Sequence, residues 1–161
     1  MKDYTREERT RLERLGSWFA VPKSFFKILS GDEAIFLAFL ADQANYHKAE
    51  EKRGGWFFCT LKQVEDVIHM KKHTQQRVML KLQGKKNWIT KSGKIRVSRH
   101  IDETNCFISV ERRGVPPKRW FKINWPVIFH KMDMVDASVS IGSDLTQLNY
   151  VGENDPKKGP L

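Results

Sequence analysis

The sequence predicts an α+β domain, helical in its first half and antiparallel β through most of its second. Three observations predict it. Up to about Gln83, apolar residues recur at helical spacing behind Ser or Thr capping signals. From Trp88 the apolar period becomes two, and Ser92-Gly93 and the run Gly114 to Lys118 (GVPPK) supply turns between the short β runs.

In chain order, Thr5 with Glu8 makes a capping box for a short helix from Arg6 to Leu15, ended by Gly16. Trp18 to Val21 reads as a short strand stopped at Pro22, and Ser24 to Leu29 as a helical turn. Ser30 and Glu33 form a second capping box before a helix from Asp32 to about Tyr46, apolar enough for burial on most sides. The charged run HKAEEKRGG reads as a loop leading to an aromatic strand at Trp56, Phe57 and Phe58. Thr60 and Gln63 cap a helix from Leu61 to His69, with Leu61, Val64, Val67 and Ile68 on one face. After the break at Met70-Lys71, a helix from Lys72 to about Gln83 buries Val78, Met79 and Leu82 and stops at Gly84. Strands are expected at 88–91, 94–98, 106–112 and 119–124. Asn124 and Pro126 open a last short helix through Met132, and the rest has the composition of an irregular tail.

At 161 residues the chain holds one modest domain, and 40% hydrophobic content with five Trp and ten Phe is enough for a real core. The formal charge is +10, but it is unevenly placed: net +1 over 1–59, +11 over 60–130 and −2 over 131–161. Concentrated positive charge is what a surface facing a polyanion needs, and nucleic acid is the first candidate. On charge alone, a solvated basic face is the alternative. No run approaches the roughly 18 to 20 apolar residues of a membrane span. The charged start MKDYTREERTRLERLG is unlike a signal peptide, so a cytoplasmic protein with no membrane partner is expected. Cys59 and Cys106 lack CxxC spacing and sit in apolar contexts, reading as buried free thiols.

The order helix, strand, helix, turn, helix, strand, wing, strand is that of a winged helix-turn-helix. Here it carries an N-terminal extension (1–17, with the short helix), a winged-helix domain (18–132) with a β-hairpin wing, and a flexible C-terminal tail (133–161). On the helix from Lys72, the face opposite the core presents His73, Gln76, Arg77 and Leu80, flanked by Lys72 and Lys81. Arg77 can pair bidentately with guanine and Gln76 with adenine, while Lys72 and Lys81 suit phosphates. Leu80 suits a thymine methyl or a second subunit, and Gln75 falls toward the buried side as a packing or register residue. Lys71, Lys85 and Lys86 are candidate backbone contacts. The wing offers Arg112, Arg113, Lys118 and Arg119 around Gly114 to Pro117. A second assignment puts the wing tip at Ser92-Gly93, with Lys91, Lys94 and Arg96 as contacts. Trp18, Trp56, Trp88 and Trp120 fall in or at the start of strands, where packing explains them better than base stacking.

The stretches GWFFCTLKQVEDVIHMKKHTQQRVMLKLQGKKNWIT and ISVERRGVPPKRWFKIN together resemble the winged-helix domains of bacterial, phage and plasmid replication-initiation proteins. The resemblance implies a sequence-specific double-stranded DNA-binding protein, with residues 91–105 as an insertion. A winged-helix transcription regulator, or a protein-interaction winged helix without direct DNA binding, would use the same surface. Partners expected are double-stranded DNA, a homodimer on two half-sites, and a replication protein reached through the tail segment DLTQLNY.

Enzymatic motifs are missing. There is no GxxxxGK[ST], His69 and His73 lack the glutamate of a zinc-protease motif, and Glu65-Asp66 and Asp102-Glu103 lack a third acid for a two-metal site. The expectation is a non-enzymatic protein without cofactor or metal.

Overall fold

The computed structural model describes residues 19–151, with side chains for 19–139. The extension 1–17, Trp18 and the last ten residues lie outside the described residues. A 3-10 turn (Lys23–Lys27) is followed by α1 (Gly31–Tyr46), α2 (Ala49–Arg53), β1 (Trp56–Phe58), α3 (Leu61–Ile68) and α4 (Lys72–Leu82). Then come β2 (Gln83–Ile89), β3 (Ile95–Cys106), β4 (Ile108–Arg113), β5 (Lys118–Ile123) and α5 (Trp125–Val151). The fold is α+β, with two antiparallel sheets: three strands in the order β1-β5-β4, and the pair β2-β3.

α1 is the central helix. Its five consecutive residues Phe36 to Leu40 are all buried, which no one-faced helix achieves. The backbone N–H of Ser30 donates to the Glu33 carboxylate (3.0 Å), so the expected cap opens this helix. Around α1 gather Phe57, Val64, Met79, Leu82, Ile108, Phe121 and Ile128, one residue or two from each surrounding element. Sheet register explains the contribution of the three-stranded layer. Phe57 pairs with Phe121 and Val110 with Phe121, so their side chains share the inward face, while Trp56, Phe58 and Trp120 point outward.

Several boundaries differ from the sequence expectation. Residues 19–22 are not a strand: Phe19 packs edge-on against Phe39 (6.1 Å between ring centres), so its hydrophobicity is used against a helix. The expected loop 47–55 contains α2, entered at Lys48 and left at Gly54, both in the left-handed region. β2 starts at Gln83, directly from α4, rather than at Trp88. Gly84 permits this, because at φ +72 a Cβ there would collide with the Asp102 backbone carbonyl of β3.

The last helix does not stop near Met132 but continues to Val151, so the first part of the expected irregular tail is helical backbone. Ile128 seals its first turns in the core, and Lys27 pairs with Asp136 (2.8 Å) beyond the expected end. No proline interrupts the chain between Pro126 and Pro156, and once nucleated a helix extends at low cost.

Candidate nucleic-acid interface

α3 and α4 are joined by three residues, His69 to Lys71, and this turn is held from both sides. Thr60 closes the N-terminus of α3: its hydroxyl oxygen accepts from the Gln63 N–H (3.1 Å), and its own N–H donates to the Gln63 side chain (2.8 Å). His69 ends α3 in the left-handed region, φ 55, reversing the chain. Gln75 locks the pair. Fully buried, its amide nitrogen donates to the carbonyls of Met70 (2.7 Å) and Leu61 (3.0 Å), tying the turn and the start of α3 to α4. That position serves the register role and closes Gln75 to any ligand.

α4 packs along the β2-β3 hairpin and meets the β4-β5 hairpin through a side-chain contact. At about 100° per residue, Arg77 and Met79 are about 160° apart around the helix. On the Arg77 edge, its Nε donates to the Asn87 side-chain oxygen of β2 (3.4 Å), and the Asn87 amide nitrogen donates to the Arg77 carbonyl (3.3 Å). On the Met79 edge, the Arg119 guanidinium of β5 reaches the Met79 sulfur (3.6 Å). Between them, His73 is exposed and Gln76 and Leu80 half-buried, and neither polar side chain has a hydrogen-bond partner among the described residues. His73, Gln76, Leu80 and Arg77 are therefore brought onto one outward surface, while Lys72 is exposed at its N-terminal end.

The lysines divide. Lys81 is turned to α1, where it pairs with the largely buried Glu33 (3.1 Å). It thus leans from the flank of α4 toward an acid of the neighbouring element while its side chain stays half exposed. Lys71 pairs with Glu65 (2.9 Å) but stays exposed, and that contact raises its pKa. Lys85 is half-buried and donates to the Gln83 side chain (3.4 Å), whereas Lys86 is exposed.

Both candidate wing turns are hairpin tips. β4 and β5 pair in register from Ile108–Ile123 to Arg113–Lys118, closed by residues 114–117, while β2 and β3 close at 90–94. In the β4-β5 hairpin the aromatic faces take up cations. Arg113 lies over Trp56 (4.5 Å) and Trp120 (5.4 Å) and pairs with Glu111 (2.7 Å). Arg53 covers Trp120 and Lys118 covers Phe58. Packing does account for Trp56 and Trp120, but Trp88 on β2 is 51% exposed, against the expectation for it. Arg112 is exposed. Arg119 is half-buried, and desolvation, then the neighbouring Arg112, lowers its pKa. A groove of about 610 Å³ between the hairpin and the start of α3 is lined by Thr60, Leu61, Lys62, Arg112, Lys118 and Arg119. All its charged side chains are basic.

Cys59, buried beneath this groove, has its thiol pushed up to about 12, by desolvation against a smaller opposing effect of Arg119. It is a packing group at neutral pH. Both cysteines are free. Among the described residues no three His, Cys, Asp or Glu side chains gather as a metal site, and no helix is long and apolar enough to cross a membrane. Asn87 and Arg53 are the site residues that sequence reasoning missed, because each acts through a partner remote in the chain and neither follows a spacing rule.

No family model matches the chain, and no curated protein matches it. Two solved structures are similar in chain path. One is an N-terminal domain of a DNA-binding protein, 17% identical with a TM-score of 0.45; the other is from a Rep–DNA complex, 18% identical with a TM-score of 0.44. Each likeness covers 76% of this chain and 82% of the other. At these scores the overlap is one of chain path and says nothing of the ligand.

Proposed function

We propose that this chain is a winged-helix protein that binds double-stranded DNA and acts by binding, not by catalysis. The observation that carries the reading is the outward surface of α4, with His73, Gln76 and Arg77, together with the basic groove between α3 and the β4-β5 hairpin. In this reading α4 enters the major groove. Arg77, whose terminal guanidinium nitrogens make no hydrogen bond among the described residues, and Gln76 read base edges. The β4-β5 hairpin is the wing, with Arg112 and Lys118 facing the flanking backbone and Lys72 and Lys86 adding phosphate contacts. The likeness of GVPPKRWFKIN to the wings of replication initiators favours replication initiation as the setting.

Gel-shift titration of the full chain with random duplex at several salt concentrations tests the binding itself. The expected result is an affinity that falls linearly with salt on logarithmic axes. Undetectable binding at low salt, or binding without a salt slope, overturns the reading. Arg77→Ala is expected to lower the ratio of specific to non-specific affinity by about 10-fold or more, while Lys118→Ala weakens all duplexes alike.

A further inference from the structure

We propose that the β2-β3 hairpin is a second duplex-gripping arm, holding backbone phosphates on the side of α4 away from the wing. The proposal rests on the DNA-binding reading above and extends it from Lys86 to the whole hairpin, as a contact additional to the wing.

The charge on this hairpin is uncompensated. Lys86, Lys91, Lys94, Arg96 and Arg99 are all exposed, and none of the five makes an ion pair among the described residues. In the wing, by contrast, Arg113 is paired and stacked, Lys118 lies over a ring and Arg119 is half-buried. The two acids of β3, Asp102 and Glu103, sit at the base of the arm, and Asp102 is occupied. It accepts from the Thr104 hydroxyl (2.7 Å) and the Asn105 amide (2.6 Å), bonds that lower its pKa. Asp102 stays a carboxylate and shares a cleft with Lys86, but among the described residues no acid pairs with Lys91, Lys94, Arg96 or Arg99, so the charge of the outer arm is open to a polyanion.

Part of the arm's charge stands on the face opposite Asn87, the residue that meets Arg77. Trp88 pairs with Arg96, and the next position outward pairs Thr90 with Lys94, so one face of the arm carries Lys86, Trp88, Lys94 and Arg96. The tip is a built turn: Thr90 and Ser92 hydroxyls are 2.9 Å apart and the Lys94 N–H donates to Thr90 Oγ1 (3.1 Å). The base is fixed to α4 by the reciprocal Arg77–Asn87 bonds and by the close approach of β3 over Gly84. An arm aimed from the reading helix loses little conformational freedom on docking. The seven residues of β2 span about 23 Å at roughly 3.3 Å each. That is about six or seven base-pair steps at roughly 3.4 Å.

The opposite face, with Ile89, Ile95, Val97 and Ile101, is more apolar, but Lys85 and Asn87 interrupt it. A second copy of the chain is the alternative occupant there, and the experiment separates it.

Full-length protein and a Lys91→Ala, Lys94→Ala, Arg96→Ala, Arg99→Ala variant are titrated by fluorescence anisotropy with random duplexes of about 12 to about 30 base pairs over a range of salt. All four positions are exposed, and a tip-only Lys91→Gln, Lys94→Gln variant with an unchanged thermal melt guards against a folding defect. The expected result is a salt slope shallower by about 0.9 for each phosphate that the variant no longer neutralises, with half the effect in the tip variant. The affinity gain with duplex length should also stop about six base pairs earlier. If wild type binds with a salt slope and both variants match it in slope and length dependence, the arm proposal is overturned while the DNA-binding reading stands. If wild type shows no salt-dependent binding, both fall. If Ile89→Ser, Val97→Ser dissociates a dimer by sedimentation while the cation variants keep the wild-type slope, the arm is a subunit contact and the proposal is overturned.

Discussion

The two hairpins flanking α4 are built from similar materials and use them differently. The wing is six residues a side, in unbroken register; Arg113 is laid on Trp56 and Trp120 and paired with Glu111, Lys118 lies over Phe58 and Arg119 is half-buried, leaving Arg112 exposed. The arm is longer, its register shifts twice, and all its cations but Lys85 are exposed and without an ion pair among the described residues. Counting basic residues, six in the arm and five in the wing, would rank them as near equals. What differs is how much of the charge is already engaged: most of it in the wing, and none of the exposed cations of the arm by an ion pair among the described residues.

The largest effect expected from breaking this contrast is at the base of the arm. Gly84→Ala combines a left-handed backbone with a collision against the Asp102 carbonyl, and should destabilise the domain by about 3 kcal/mol in urea denaturation. Gly93→Ala at the arm tip is equally left-handed but meets nothing, so about 1 kcal/mol is expected. Equal losses would mean the close approach at Gly84 is not what seats the arm.

Next is the helix pair that both hairpins flank. Gln75→Ala removes the donor to two carbonyls and leaves a void, and about 2 to 3 kcal/mol of stability should be lost by thermal or chemical denaturation. Arg113→Ala, which deletes a cation over two indoles, should cost about 1 to 2 kcal/mol, whereas Lys91→Ala and Lys94→Ala together should leave the melt unchanged. A comparable loss from the arm pair would show that its lysines are structural after all.

The smallest effect is in the thiols, one near each hairpin. Desolvation raises both, Cys59 to about 12, so both are protonated at neutral pH, and the half-buried Cys106 should react with a maleimide faster than buried Cys59. The Cys59 shift also has a pH signature. Its folded value exceeds the ordinary 9.0, so the folded state holds the proton more tightly, and this contribution to stability is complete below about pH 9 and declines as pH rises toward 12. Cys59→Ser should flatten that decline.

The elements legible from sequence were those whose signals are local. The caps at Ser30 and Thr60, the core stripe Val78, Met79 and Leu82, and the GVPPK turn each depend on residues within a few positions of one another. The same holds for the outward set His73, Gln76, Arg77 and Leu80. What was not legible depends on distant partners. Lys81 is outward-leaning by helical angle, yet Glu33, far back in the chain, claims it. β2 begins at Gln83 only because β3 returns across Gly84. The continuation of α5 past Met132 has no apolar stripe to announce it, and its start is fixed by burial of Ile128 instead.

The two ends of the arm meet at the body of the domain. The Phe107 N–H donates to the Leu82 carbonyl at 2.7 Å, so the chain leaves the body and re-enters it one hydrogen bond apart. Phe107 is itself buried, and β4 starts at the next residue. The arm is thus closed at its root, and a change of length beyond the Trp88–Arg96 pair would leave that root and the chain's return at Phe107 in place.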